Sequence, residues 1–143
     1  MAFTAVPGSP PTPAHLAVLY NSWLTDDIIR DAGIRSFDNA EGRILVGFRG
    51  HVGDYAGFAF AYHLPGSPNI RGWRLRRDVP DLVYDGQGVP HEKKKYVVAP
   101  GSASQLYFPP GIPPDYLGNA SLSVAIVEGE KNASASIVWR LTT

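Results

Sequence analysis

Two groups of residues in this chain have types and spacings that can do phosphate chemistry. The first is a carboxylate at the end of an apolar run: Leu122-Ser-Val-Ala-Ile-Val127 leads directly into Glu128, Gly129, Glu130 and Lys131. A β-branched run closed by an acid and a glycine reads as a buried strand that delivers Glu128 to its C-terminal tip. In open α/β sheets that tip is where ligands bind. The second group is basic: Ile70-Arg-Gly-Trp-Arg-Leu-Arg-Arg77 is followed by Lys93-Lys-Lys95 and Tyr96. In an extended strand Arg74 and Arg76 share a face with Ile70 and Gly72, while Arg71, Trp73 and Leu75 share the other. One side can pack and the other can present guanidiniums. Arg74, Arg76, Lys95 and Tyr96 are therefore the candidates for holding phosphates, with Tyr96 available to stack a base. Glu128 is the candidate for a carboxylate that faces a ligand at that tip.

Each group also has a purely structural role open to it. A carboxylate at a strand end can cap the following helix. Arginines on a strand can be the solvated face of a sheet edge, where charge discourages pairing with other chains. A lysine run between a loop and a strand can simply be solvated. Trp73, Tyr84, Tyr107 and Phe108 lie near the basic segments and suit a core as well as a stacking platform. His15, His51, His63 and His91 lack the spacing of metal ligands. There is no Gly-x-Ser-x-Gly motif, Walker loop or dinucleotide fingerprint to point to a hydrolase or an NTPase.

The elements that must position these residues follow from local signals. Val6-Pro-Gly-Ser-Pro-Pro-Thr-Pro13 cannot join a helix, so residues 1–13 read as a flexible leader before a single domain over 14–143. Thr12 and Pro13 start a helix from His15 to Ser22, and Thr25 caps a second over Asp26 to Ala32, which Gly33 ends. Arg43 to Phe48, Tyr55 to Tyr62, Ile70 to Arg77 and Lys95 to Ala99 read as strands of an antiparallel meander. Asp78 to Glu92 reads as a long loop, and Pro100 to Leu117 as irregular chain. Gly129 supplies a tight turn into a terminal helix over Glu130 to Leu141. The expected class is α+β, with two short N-terminal helices, a mostly antiparallel sheet and a terminal strand–helix unit.

Composition narrows the classes. The 143 residues are 44% hydrophobic and 11% aromatic, enough for one domain with a real core. Thirteen basic and thirteen acidic residues cancel, so no global field announces nucleic acid or membrane. Seven of those thirteen basic residues nevertheless fall between Arg71 and Lys95, which gives a neutral domain a basic face. Cysteine is absent, excluding disulfides and thiolate metal sites. With no signal peptide and no membrane-length apolar run, a cytoplasmic location without membrane contact is expected.

The order of these motifs resembles a known arrangement. The pieces are Ser22-Trp-Leu-Thr-Asp-Asp-Ile-Ile-Arg-Asp-Ala-Gly-Ile34, Trp73-Arg-Leu-Arg-Arg-Asp78, Lys95-Tyr96 with Pro100-Gly101, Leu106-Tyr-Phe-Pro-Pro110 and Val127-Glu-Gly-Glu-Lys131. From about Leu16 to Ala133 the chain is similar to an uncharacterised domain of phage, plasmid and integrative-element proteins that precedes or merges into a primase-type Toprim domain. More distantly it resembles the N-terminal part of the DnaG-type primase polymerase core. The resemblance implies DNA replication in a mobile element, with Glu128 as the Toprim glutamate beside a divalent cation. It implies a basic groove of Arg74 or Arg76 with Lys95 and Tyr96, holding single-stranded DNA or nucleotides. The Toprim Asp-x-Asp strand has no counterpart before Thr143. Mg²⁺ usually takes one or two carboxylates plus phosphates, so Glu128 alone makes an incomplete site. Mg²⁺ is expected only with a complete Toprim domain, and no cofactor for this chain alone. Its partners would then be DNA or nucleotides and the remainder of a primase or helicase protein. The competing expectation is a free-standing phage or plasmid inhibitor, or decoy, that binds a host protein.

Overall fold

A computed structural model of the chain describes residues 6–47, 53–121, 126–127, 129–131 and 133–134. The first helix, α1 (Pro13–Asn21), starts where Thr12 accepts a hydrogen bond from the His15 backbone N–H at 3.3 Å, with proline in the first turn. Thr25 likewise caps α2 (Asp26–Asp31), whose first turn carries Asp26 and Asp27 against the positive end of the helix dipole. Both expected helices form within a residue or two of the expected bounds. A short strand β1 (Arg35–Phe37) follows, and then a third helix, α3 (Asn39–Val46).

This third helix replaces the strand expected over Arg43 to Phe48, of which Phe48 lies outside the described residues. The reason is local. Asp38 and Glu41 form a reciprocal capping box, with Glu41 N–H to Asp38 Oδ1 at 2.8 Å and Asp38 N–H to Glu41 Oε1 at 3.1 Å. Gly47, at φ +69°, ends the helix in a left-handed cap. The Ile44-Leu-Val46 triplet resembles a strand by type, yet only Val46 is fully buried while Ile44 stays exposed.

The remaining strands are β2 (Gly57–Tyr62), β3 (Gly72–Arg77), β4 (Asp81–Tyr84), β5 (Pro90–Lys93) and β6 (Tyr96–Val97). An antiparallel sheet runs in the order β1, β2, β3, β6. The molecule is α+β and mostly antiparallel, as expected. Strands β4 and β5 pair only with each other, forming a hairpin where a loop was expected. Asp85 nucleates its turn by accepting from Gln87 N–H at 2.8 Å and Val89 N–H at 3.0 Å.

Both faces of the four-stranded sheet are packed. Phe58 and Phe60 join Leu19, Leu24, Ile28 and Ile29 beneath α1 and α2. On the opposite face Phe37, Ala59, Leu75 and Val97 pack with Val46 of α3 and with Tyr55. Helix α3 comes so close that a Cβ added at Gly42 would stand 1.9 Å from the Tyr55 carbonyl oxygen, a position only glycine can fill. The leader docks as well, since Ser9 and Ser36 exchange backbone hydrogen bonds of 2.9 Å each.

At the other end of the chain, Leu122 to Ala125 of the expected buried strand lie outside the described residues, while Ile126 and Val127 lie outside any strand and are 90% and 44% exposed, in contrast to the burial expected for them. Gly129, at φ +83°, turns the chain into a helical segment, in which Ala133 N–H donates to the Gly129 carbonyl at 3.1 Å.

Candidate anion-binding face

Pairing register determines which side chains of β3 meet. Phe58 lies opposite Arg76, Phe60 opposite Arg74, and Arg76 opposite Tyr96. Opposed residues in an antiparallel ladder project from the same face. Arg74, Arg76 and Tyr96 thus share the face of Phe58 and Phe60, beside the cover provided by α1 and α2. The guanidiniums do not stand alone on a bare face, because the same face carries the aromatic core.

The two arginines are held differently. Arg74 lays its guanidinium over the Tyr96 ring, Cζ 4.9 Å from the centroid, and donates through Nη1 to Glu130 Oε1 at 3.0 Å. Glu130 is only 4% exposed and also accepts from the Tyr62 hydroxyl. Burial, the largest single influence, would lower the Arg74 pKa, but the charge and hydrogen bond of Glu130 together with Tyr62 outweigh it and the net shift is upward. The Tyr62 phenol is likewise pushed up, by burial first and then by the adjacent Glu130 carboxylate. Arg76 instead lies over the Phe58 ring, Cζ 5.2 Å from the centroid. Its Nε is buried and has no hydrogen-bond partner among the described residues.

Lys95 Nζ reaches Glu92 Oε2 at 3.3 Å in a pair whose side chains are both substantially exposed. Burial lowers the Lys131 pKa, and the charges of Arg76 and Lys95 lower it further. Lys131, on the segment after Gly129, follows Glu130, which Arg74 holds at 3.0 Å. That segment is tied down by the Tyr107 hydroxyl, 3.2 Å from Ser134 Oγ, and by the Glu130 bonds. Burial raises the Tyr107 phenol to about 12.

Of the residues singled out from sequence, the fold brings Arg74 and Tyr96 into ring contact, lays Arg76 over Phe58 and pairs Lys95 with Glu92. Glu128 lies outside the described residues. Glu130, Tyr62 and Lys131 were not singled out. Glu130 and Lys131 belong to the same acidic stretch as Glu128, and the alternation of that stretch was the available signal.

Described carboxylates at this face do not suit a divalent cation. Glu130 already serves Arg74 and Tyr62, and among the described residues no group of three or more His, Asp or Glu side chains could hold a metal. No chemical step is therefore derived through Mg²⁺.

A second polar construction on the same face has the hydrogen-bond order of a serine-hydrolase triad. His15 places Nε2 at 2.9 Å from both Asp78 oxygens and Nδ1 at 2.6 Å from Ser36 Oγ. Ser36 is 2% exposed and accepts the Thr12 backbone N–H at 3.0 Å. No substrate carbonyl can reach that oxygen. The relay is a pin that fastens the start of α1 to β1 and to Asp78, just beyond β3.

Among the described residues no helix is long and apolar enough to cross a membrane. Comparison of the chain with known protein families, with curated proteins and with solved structures finds no match.

Proposed function

We propose that this chain is a phosphate-binding domain of a primase-like replication protein of a mobile genetic element. It acts in the cytoplasm and holds single-stranded DNA or nucleotides on the face of β3 and β6. Catalysis, with its Mg²⁺, belongs to a complete Toprim domain rather than to the residues described here. The observation that carries this reading is Arg76: a guanidinium over an aromatic ring, opposite Tyr96 in the ladder, with a buried Nε that has no hydrogen-bond partner among the described residues. Cations near aromatic rings are the recurring materials of single-strand binding surfaces, where lysine and arginine neutralise phosphates and rings stack bases.

Fluorescence anisotropy with a labelled oligothymidine tests the reading. Binding at low salt should weaken steeply as salt rises, and the Arg76→Ala/Lys95→Ala double variant should bind at least tenfold more weakly with a flatter salt slope. Absence of affinity for both the oligonucleotide and nucleotides at low salt would sink it.

The exposed hairpin favours a second reading. Leu82, Val83 and Tyr84 of β4 and the neighbouring Val79 are exposed apolar side chains on an otherwise polar hairpin. A free-standing inhibitor or decoy would use such a surface against a host protein, with binding that changes little with salt.

A further inference from the structure

A cavity of about 320 Å³ opens where β2 ends, and none of Arg74, Arg76, Lys95 and Tyr96 lines it. We infer that it binds a small organic amine. The protonated nitrogen donates to the Asp31 carboxylate and to His63 Nδ1, and the apolar body lies against Leu64, Phe108 and Ile112. This site goes beyond the phosphate-binding reading and does not depend on it.

Two chain segments in direct contact build the cavity. Gly66, at φ +72°, sits in the turn after β2, and a Cβ added there would stand 2.2 Å from Pro114 Cγ. That turn is closed by the Ser67 N–H, which donates to the Leu64 carbonyl at 3.1 Å. The second segment is anchored through Tyr107, the residue before Phe108, whose ring makes edge contacts with Phe60 at 5.9 Å and Tyr62 at 5.4 Å. Pro65, Pro68, Pro109 and Pro110 line the walls and fix φ in both segments, so little chain entropy remains to be lost when a ligand enters. The volume lies at the lower end of the range for small-molecule sites, about 300–1,000 Å³, which suits one ring with a short chain.

Polar groups on these walls select the charge of the ligand and its donors. Asp31 carries the only fixed charge among the lining residues, so the cavity favours a cation. Its contact with Arg30 Nε at 3.2 Å joins two exposed side chains and exchanges readily with water. Ser67 Oγ is occupied, since it accepts the Asn69 N–H at 3.3 Å. His63 Nδ1 is buried and has no hydrogen-bond partner among the described residues. With the ring proton on Nε2 this nitrogen is an acceptor, and a buried acceptor left unpaired is costly. An ammonium group has three donors and can serve both acceptors. A carboxylate or phosphate would instead meet Asp31 as a like charge.

Amide chemical-shift titration of the full chain tests this with three probes that share one ring and a short chain. They are phenethylamine, phenethyl alcohol and phenylacetate, which are cationic, neutral and anionic. The amine should shift the amides of His63, Leu64, Gly66, Ser67, Gly111 and Ile112. It should bind about fivefold more tightly than the alcohol, as a partly exposed ion pair allows, and phenylacetate should bind more weakly than either. Asp31→Asn, at an exposed position outside the core, should bring the amine down to the affinity of the alcohol. His63→Phe keeps a ring and removes the unpaired nitrogen, so it should leave urea stability unchanged or raised while weakening amine binding about fivefold.

Equal affinity for all three probes would overturn the selection of an amine. Amine binding indifferent to both variants, or shifts confined to β3 and β6, would overturn the placement of the site. Failure of every probe to shift the cavity amides would overturn the site altogether and leave the phosphate-binding reading, which uses other residues, to its own test.

Discussion

Phe58 touches two polar groups that are finished in opposite ways. At one side of its ring lies His15, in an edge contact at 5.3 Å, bonded to Ser36 and Asp78. At another lies Arg76, 5.2 Å away, with an Nε that has no hydrogen-bond partner among the described residues. In the His15 relay the leader, α1, β1 and the chain after β3 each contribute a partner. The Arg76 Nε has no partner among the described residues. A buried polar group with its bonds complete holds a fold together, whereas one left without a partner costs stability and is retained for a ligand. The hydrogen-bond order of a hydrolase triad is thus the structural part of this protein, and the surroundings of Arg76 are its candidate site.

The comparison is broken most severely at His15. Replacing it with alanine removes two buried hydrogen bonds and leaves a cavity beside Phe58, which should cost about 2–4 kcal/mol in urea unfolding. A loss below about 1 kcal/mol would show that the relay does not fasten the leader. Next in size is Glu130→Ala. Removing one member of a fully buried ion pair costs about 3–5 kcal/mol, but Arg74 is partly exposed and can recover water, so about 2 kcal/mol is expected. The same variant should free the Tyr96 ring, seen as a change in tyrosine fluorescence.

The side of Arg76 should respond with the opposite sign. Lys131→Gln removes a repelled charge and should stabilise the protein slightly, by a few tenths of a kcal/mol, with the gain shrinking as salt screens the repulsion. The pH dependence sharpens the same contrast. Lys131 has a folded pKa below its unfolded value, so the unfolded chain binds more protons between the two values. Wild-type stability should therefore rise with pH through that alkaline window, and Lys131→Gln should not show the rise. The smallest effect lies at Asp81, whose pKa the Arg77 hydrogen bond holds below the usual carboxylate range. Its contribution is present above the unfolded value of about 3.9 and is lost as pH falls through the folded value. Asp81→Asn should remove that part of the acid sensitivity in pH-jump unfolding.

Local chemistry made the first two helices legible, because Thr12-Pro13 and Thr25-Asp26-Asp27 place cap, proline and acids within a single turn. The third helix was hidden for the converse reason. Its apolar triplet Ile44-Leu-Val46 is β-like by type, and the deciding signals, Asp38 with Glu41 and then Gly47, lie around it rather than in it. The hairpin was missed because Asp85-Gly-Gln-Gly88 reads as flexible chain unless the Asp85 bonds to Gln87 and Val89 are anticipated. At the site, the alternation of β3 sufficed to place Arg74 and Arg76 on one face. Their partners were not legible. Tyr96 meets them through the pairing of β3 with β6, and Glu130 reaches Arg74 across 56 positions of sequence. Register and long-range packing leave no trace in local spacing.

Arg77 is completely buried, and its side chain grips both feet of the hairpin. It donates to Asp81 at 2.9 Å as the chain leaves β3 and to the Lys94 carbonyl at 3.3 Å as the chain returns to β6. A third bond, to the Asp54 carbonyl at 2.8 Å, anchors that grip to the body of the domain. Everything between the feet is consequently an appendage on a clasp, insulated from the sheet it interrupts. Foreign sequence grafted between Gly86 and Gly88, where added side chains meet open space, leaves the β3–β6 ladder its fixed ends, so this tip is the natural attachment point for a reporter that must not disturb the rest of the molecule.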